Sequence, residues 1–157
     1  MQIDEDSAKV KFPPPFIFLG GLAAGLLIGW LLDFPSFDMD ETTKIVAAGA
    51  LLVVGFGIGL AAMSVFRRRG TNVEPWRAST MIVAEGVFRW TRNPMYLGMT
   101  LVYCGLAILF ESFAAFLLLP FVLIIIRTYV IAREERYLET KFGDEYRRYR
   151  QRVRRWI

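Results

Sequence analysis

The sequence predicts an all-α integral membrane protein: about four transmembrane helices, the third and fourth a tight hairpin, followed by a cytoplasmic amphipathic C-terminal helix. Three observations carry this prediction. The 157-residue chain is 55% hydrophobic and 15% aromatic, too apolar for a soluble domain of this size unless the surplus faces lipid. Four apolar segments, Phe16 to Leu32, Ile45 to Phe66, Met95 to Phe110 and Ser112 to Ala132, approach the roughly 20 residues a helix needs to cross about 30 Å of hydrocarbon at about 1.5 Å per residue. The basic residues, finally, gather in the segments that flank these spans.

Residues 1–15 read as a cytoplasmic N-terminal segment. Met1 to Lys11 is polar and carries Asp4, Glu5 and Asp6, and no small-residue cleavage site closes the apolar run that follows, which argues against a signal peptide. Pro13, Pro14 and Pro15 make a stiff entry to the first helix and nothing more.

Residues 16–66 read as two scaffold helices. Gly21, Gly25 and Gly29 recur every four residues, as do Gly55 and Gly59, giving smooth faces on which helix backbones approach closely. The run Gly55-Phe56-Gly57-Ile58-Gly59 imitates the glycine-rich loop of soluble nucleotide-binding folds. It lies in mid-span, without the strand before it and helix after it that such a loop requires, so the match is rejected.

Loop charges set the orientation. Asp33 to Thr43 has no Lys or Arg and carries Asp33, Asp38, Asp40 and Glu41, whereas Arg67 to Arg92 carries Arg67, Arg68, Arg69, Arg77, Arg89 and Arg92. The second loop is therefore expected in the cytoplasm. An even number of spans puts the basic tail from Arg133 onward on that side too, with both termini cytoplasmic. The net charge of +4 then records topology rather than nucleic-acid binding. The whole chain is expected to form a single membrane domain, with 67–157 as the part that carries polar motifs.

The third span is the shortest. Only Glu111 and Ser112 separate it from the fourth, hence the expected hairpin. Beyond the fourth span no helix breaker intervenes. Tyr137, Leu138, Phe142, Tyr146 and Tyr149 recur at spacings of one, three or four among charged residues, mostly one face of an amphipathic helix, with Gly143 as its candidate interruption.

Chemistry is bounded by what is missing. The chain has no histidine, which removes the commonest general base, the commonest zinc ligand and every Ser-His or Cys-His pair. The lone Cys104 lies in an apolar run and reads as a packing residue, so no disulfide or Cys-x-x-Cys site forms within one chain. No metal is expected.

Two constellations stand out. The segment Thr91-Arg92-Asn93-Pro94-Met95-Tyr96-Leu97-Gly98 precedes the third span. As plain structure it is a helix start, with Asn93 as N-cap, Pro94 at the first position and Gly98 for packing. As a site, its backbone amides, Arg92 and the Asn93 amide would hold an anionic or polar group, with Gly98 admitting a ligand against the backbone. Glu134 and Glu135 stand where the fourth span leaves the apolar stretch. Adjacent helical positions point about 100° apart, so the pair addresses two parts of one ligand rather than one atom. The bland alternative is a solvated face paired to Arg133, Arg136 or Lys141. Arg127, seven residues before Glu134 on the same expected face, is a functional candidate inside an apolar segment, or else snorkels to the interface. Trp76, Trp90 and Trp156 lie at interface depth and need no function.

Taken in order, Arg92 to Gly98, the hairpin, Glu-Glu-Arg-Tyr-Leu (Glu134 to Leu138), Phe142-Gly143, Tyr146 and Tyr149 resemble the isoprenylcysteine carboxyl methyltransferase and phospholipid methyltransferase superfamily. The resemblance covers Gly70 to Ile157. It implies S-adenosylmethionine bound at the cytoplasmic face by Arg92, Asn93, Pro94, Tyr96, Gly98, Glu134 and Glu135, with Tyr137, Phe142, Tyr146 and Tyr149 as walls. Glu135, Arg92 and Arg127 are its candidate catalytic residues. The family often has histidine where Asn93 stands and a proline after the valine where Arg154 follows Val153; the first departure rules out a histidine base here.

The resemblance further implies a lipidic or hydrophobic acceptor that enters from the membrane, among membrane lipids. A carboxylate acceptor is already ionised at neutral pH and needs no base; an amine would need Glu or water. Two other classes compete: an NADPH-dependent membrane reductase of sterol-reductase type, typically much longer, and a non-catalytic membrane subunit. With no organelle signal in the chain, a bacterial inner membrane is the simpler location.

Overall fold

The computed structural model describes residues 4–156; Met1, Gln2 and Ile3 of the expected N-terminal segment, and Ile157 at the end of the motif region, lie outside the described residues. The described chain is helical, in the order α1 (Pro14–Leu31), α2 (Glu41–Arg69), α3 (Pro94–Leu109), α4 (Phe113–Ile125), a π-helical stretch Ile126–Ile131, α5 (Ala132–Phe142) and α6 (Asp144–Arg152). A short 3₁₀ turn, Gly86–Arg89, interrupts the long loop before α3.

The three helices Pro14–Leu31, Glu41–Arg69 and Phe113–Phe142 are long and apolar enough to cross a membrane, the last combining α4, the π stretch and α5. With 16 residues, α3 spans about 24 Å at 1.5 Å per residue, shorter than the others, as its sequence predicts. Trp30, Val53, Phe56, Leu60 and Phe121 turn large apolar surfaces outward, which suits lipid rather than water as solvent.

Local chemistry accounts for the boundaries. Pro14 and Pro94 sit at the first turns of α1 and α3, where a missing N–H costs nothing. Asp40 caps α2 by accepting from the Thr43 N–H at 3.0 Å, and that helix ends on Arg67, Arg68 and Arg69 before Gly70 at φ +64°, a left-handed C-cap that glycine adopts without penalty. Ser112 caps α4 by accepting from the Ala115 N–H at 3.2 Å.

Packing departs from the expected hairpin in an informative way. The turn between α3 and α4 is as tight as predicted, yet α3 packs chiefly on α2, and α4 chiefly on α1. Glycines decide these partners. A Cβ on Gly98 would stand 2.7 Å from the Gly55 carbonyl oxygen and 3.2 Å from the Gly59 nitrogen, so the two backbones touch there. A Cβ on Gly25 would run into the Ala115 backbone. Tyr103 links the pairs: its ring meets Phe18 edge-on at 6.4 Å, and its hydroxyl donates to the Ala115 carbonyl at 2.8 Å. Cys104 packs against the same core.

Two sequence readings gain detail. Gly143, at φ +50°, is the interruption of the amphipathic tail and divides it into α5 and α6. The N-terminal segment is more than an entry to α1. Val10 is fully buried, Tyr129 Oη accepts from the Lys11 and Phe12 N–H groups at 3.2 and 3.3 Å, and Asp6 pairs with Lys141 at 2.5 Å. Burial of Ala8 and Val10 draws this polar-looking stretch down onto α5.

Candidate functional site

The two motif blocks meet at one end of the helix bundle. The loop before α3 and the α5–α6 arm are tied by bonds between residues far apart in sequence: Tyr149 Oη donates to the Phe88 carbonyl at 2.9 Å, and Tyr137 Oη accepts from the Ser79 N–H at 3.0 Å. Between them lies a cleft of about 120 Å³ whose walls include Arg92, Asn93, Pro94, Tyr96, Glu134 and Glu135, with Tyr137, Tyr146 and Tyr149 beside them. Nine residues singled out from the sequence are thus brought together.

The two glutamates diverge as adjacent helical positions must. Glu134 accepts from Tyr96 Oη at 2.7 Å. Glu135 turns to the guanidinium side, with its Oε1 3.0 Å from Arg92 Nη1 and its carboxylate held in a fork by Arg155 at 3.0 and 2.5 Å. Arg92 Nη1 also donates to Tyr146 Oη at 3.0 Å. Arg92 Nε is buried without a partner among the described residues. Buried polar groups are nearly always satisfied, so this donor marks a place for an acceptor.

Burial sets the protonation states. The apolar run of the continuous helix Phe113–Phe142 ends at Ala132, and Glu134 stands beyond that run in α5. Burial raises its carboxyl from 4.5 to about 7, with the Glu135 charge adding to the rise and the Tyr96 hydrogen bond opposing it. The folded state therefore holds this proton at pH values where the unfolded chain has lost it. The stabilisation is complete below 4.5 and is lost as pH rises through about 7. Burial also raises the Tyr146 and Tyr149 hydroxyls above the ordinary phenol value, so both stay neutral near pH 7.

Three of the remaining sequence candidates, Gly98, Arg127 and Phe142, lie outside the cleft wall. Gly98 lies deeper, pressed against Gly55 of α2; it lines no part of the polar cleft and instead borders the apolar cavity between α1, α2 and α3. Arg127 is exposed and does not line the cleft, although seven residues before Glu134 would share its face in a regular helix. The π stretch Ile126–Ile131, with its i→i+5 pairing, rotates Arg127 away. Phe142 lies partly buried at the end of α5, under the Lys141 ammonium at 5.8 Å from its ring centroid. Asn93 occupies the N-cap position without a side-chain cap, because its amide donates to the Arg155 carbonyl at 2.9 Å.

Other residues of the site were not singled out from the sequence. The loop from Asn72 to Val83 and Ala8 of the N-terminal segment also wall the cleft, and Arg155 binds Glu135. Among nineteen basic residues nothing local distinguishes Arg155. A second, apolar cavity of about 440 Å³ lies between α1, α2 and α3, lined by Phe18, Leu22, Leu60 and Met63 among others, and Met95 lines both spaces.

The donor set fits S-adenosylmethionine: an unpaired buried arginine nitrogen for a carboxylate, a glutamate for ribose or amino groups, and aromatic rings to face a sulfonium. Comparison with known proteins bears on the family. The profile of the phospholipid methyltransferase family matches residues 43–145. A Haemophilus influenzae protein described as uncharacterized is 46% identical over 63 residues, 40% of this chain and 100% of that one. The protein-S-isoprenylcysteine O-methyltransferase of Schizosaccharomyces pombe is 29% identical over 126 residues, 78% of this chain and 53% of that enzyme, so the match spans about half of the yeast protein's length. No solved structure matches. The chain belongs to the phospholipid methyltransferase family.

Proposed function

We propose that this protein transfers a methyl group from S-adenosylmethionine to a lipidic or hydrophobic acceptor at the cytoplasmic face of a membrane, in the simplest case a bacterial inner membrane. The observation that carries the proposal is the convergence of Arg92, Tyr96, Glu134 and Glu135 on one cleft. The Arg-rich loop and the basic tail share the cleft end of the bundle, which the positive-inside rule assigns to the cytoplasm. All four apolar segments then cross, the fourth within the continuous helix Phe113–Phe142, which leaves α3 the shortest span.

Bound S-adenosylmethionine supplies a methyl group already activated by its sulfonium. The chain's task is alignment, worth several kcal/mol when reacting groups are held in line. Arg92 would hold a carboxylate through its free Nε, and Glu134 would hold ribose or amino groups. Tyr96 steadies Glu134. The apolar cavity beside Met95 suits an acceptor with a hydrocarbon portion, with membrane lipids on its open side. A carboxylate acceptor needs no base, whereas an amine would lose its proton to Glu134 or water.

The test is calorimetric titration of the detergent-purified chain with S-adenosylmethionine, S-adenosylhomocysteine and NADPH. Saturable binding of the two S-adenosyl compounds is expected. Binding of NADPH alone would point to a reductase and defeat the proposal, and absence of any binding would point to a non-catalytic subunit. A pH series refines the assignment of Glu134. If the ligand requires its ionised form, and its carboxyl titrates at about 7, affinity rises about tenfold between pH 6 and pH 8. Glu134→Gln is expected to lose that rise; a variant that keeps the parent's pH profile removes Glu134 from the binding role.

A further inference from the structure

After α6 the chain turns extended at Val153 (φ −121°, ψ 129°) and runs back along the loop that opens α3. Three hydrogen bonds hold it there. The Arg92 N–H donates to the Arg154 carbonyl at 2.9 Å, while Thr91 Oγ1 and Asn93 Nδ2 both donate to the Arg155 carbonyl, at 3.0 and 2.9 Å. Trp156 packs against the main core beyond them. The strap thereby delivers the Arg155 guanidinium to Glu135.

The geometry of that delivery matters. Arg155 takes both Glu135 oxygens, Nε to Oε1 and Nη2 to Oε2, the bidentate match of fork to carboxylate. Arg92 is left with a single contact to the carboxylate, Nη1 to Oε1, and a buried Nε with no partner. The side chains of Arg92 and Glu135 are only 10% and 14% exposed. Without Arg155, Glu135 would be free to turn and pair with Arg92 in the same bidentate way, satisfying Nε internally. Two guanidinium groups sharing one carboxylate also leave the cluster with one net positive charge. We infer that Arg155 is a positioning residue that keeps Glu135 from quenching Arg92 and so holds open a recognition point for the carboxylate at the amino-acid end of the cofactor. This rests on the methyltransferase reading above.

The inference separates two ligands that share a 5′-thioadenosine but differ in the amino-acid end: S-adenosylhomocysteine carries both the carboxylate and an ammonium, and 5′-methylthioadenosine lacks both. Removing a cation at residue 155 favours the ammonium, so a loss of affinity on that removal reports the carboxylate. Both are titrated calorimetrically into the full-length detergent-purified parent, Arg155→Met and Arg155→Lys, with a thermal melt of each. In Arg155→Met, affinity for S-adenosylhomocysteine is expected to fall at least tenfold while that for 5′-methylthioadenosine changes less than twofold. Arg155→Lys, which keeps the charge but not the fork, is expected to fall between. An unchanged preference for the carboxylate ligand in Arg155→Met, whether both affinities hold or both fall together, overturns the inference and makes the strap purely structural. A parent that binds neither ligand overturns the methyltransferase reading itself, which keeps the two failures apart. Should Arg155→Met melt too low to titrate, Arg155→Lys decides by the same ratio: a carboxylate preference equal to the parent's refutes the role of the fork.

Discussion

Gly98→Val is expected to melt far below the parent chain in detergent, with a loss of about 3 kcal/mol or more, because overpacking a tight contact already costs about 1–3 kcal/mol where only side chains must move. Here backbone must move. The first added carbon would stand 2.7 Å from the Gly55 carbonyl oxygen and 3.2 Å from the Gly59 nitrogen, in the most extensive helix pair of the fold. Separating α2 from α3 would also shift Pro94 and Tyr96 in the cleft, so S-adenosylhomocysteine binding should weaken along with stability. Gly57→Ala is the control, since nothing lies within 4 Å of its Cβ position and alanine favours helix by about 1 kcal/mol over glycine. Gly98→Val melting no lower than Gly57→Ala would refute the backbone-contact account.

Glu135→Ala is expected to be nearly as damaging, for an electrostatic reason. It leaves Arg92 and Arg155 side by side without the carboxylate that both contact. Removing one partner of a buried ion pair costs about 3–5 kcal/mol; the lower end applies, because Arg155 keeps 33% of its side chain exposed and water screens that part. Cofactor affinity should drop at least tenfold, since the Arg92 guanidinium loses one of its two anchors. Glu135→Gln retains hydrogen-bonding oxygen without charge and should fall between. A Glu135→Ala chain that melts and binds S-adenosylhomocysteine like the parent would show that the cluster carries neither stability nor binding.

Both effects concern residues legible in the sequence, but for different reasons. Gly98 belongs to a motif whose physics allowed either helix packing or ligand approach, and only the position of Gly55 shows the packing contact. Glu134 and Glu135 were readable as a pair that must diverge, because a helix separates neighbours by about 100°. Which glutamate meets Tyr96 and which meets arginine depends on the roll of α5 against α3. The chain enters α5 through the π stretch Ile126–Ile131, whose sequence Ile-Arg-Thr-Tyr-Val-Ile carries no breaker to announce it. The same stretch turns Arg127 outward.

By itself the sequence determined the quantities that are local along the chain. Apolar run lengths dictate long helices and a shorter α3; Asp40, Gly70 and Pro94 place helix ends through capping and the missing proline N–H; the order of two polar blocks dictates the family. Tertiary structure alone decided the partners. A glycine stripe shows that some backbone approaches but not which one, so the pairing of α2 with α3 and of α1 with α4 had to come from packing. The fold of the Asn72–Val83 loop into the cleft, the descent of the N-terminal segment onto α5, and the return of Arg155 to Glu135 join residues distant in sequence. Their energies depend on geometry in three dimensions, and no periodicity or composition along the chain encodes that geometry.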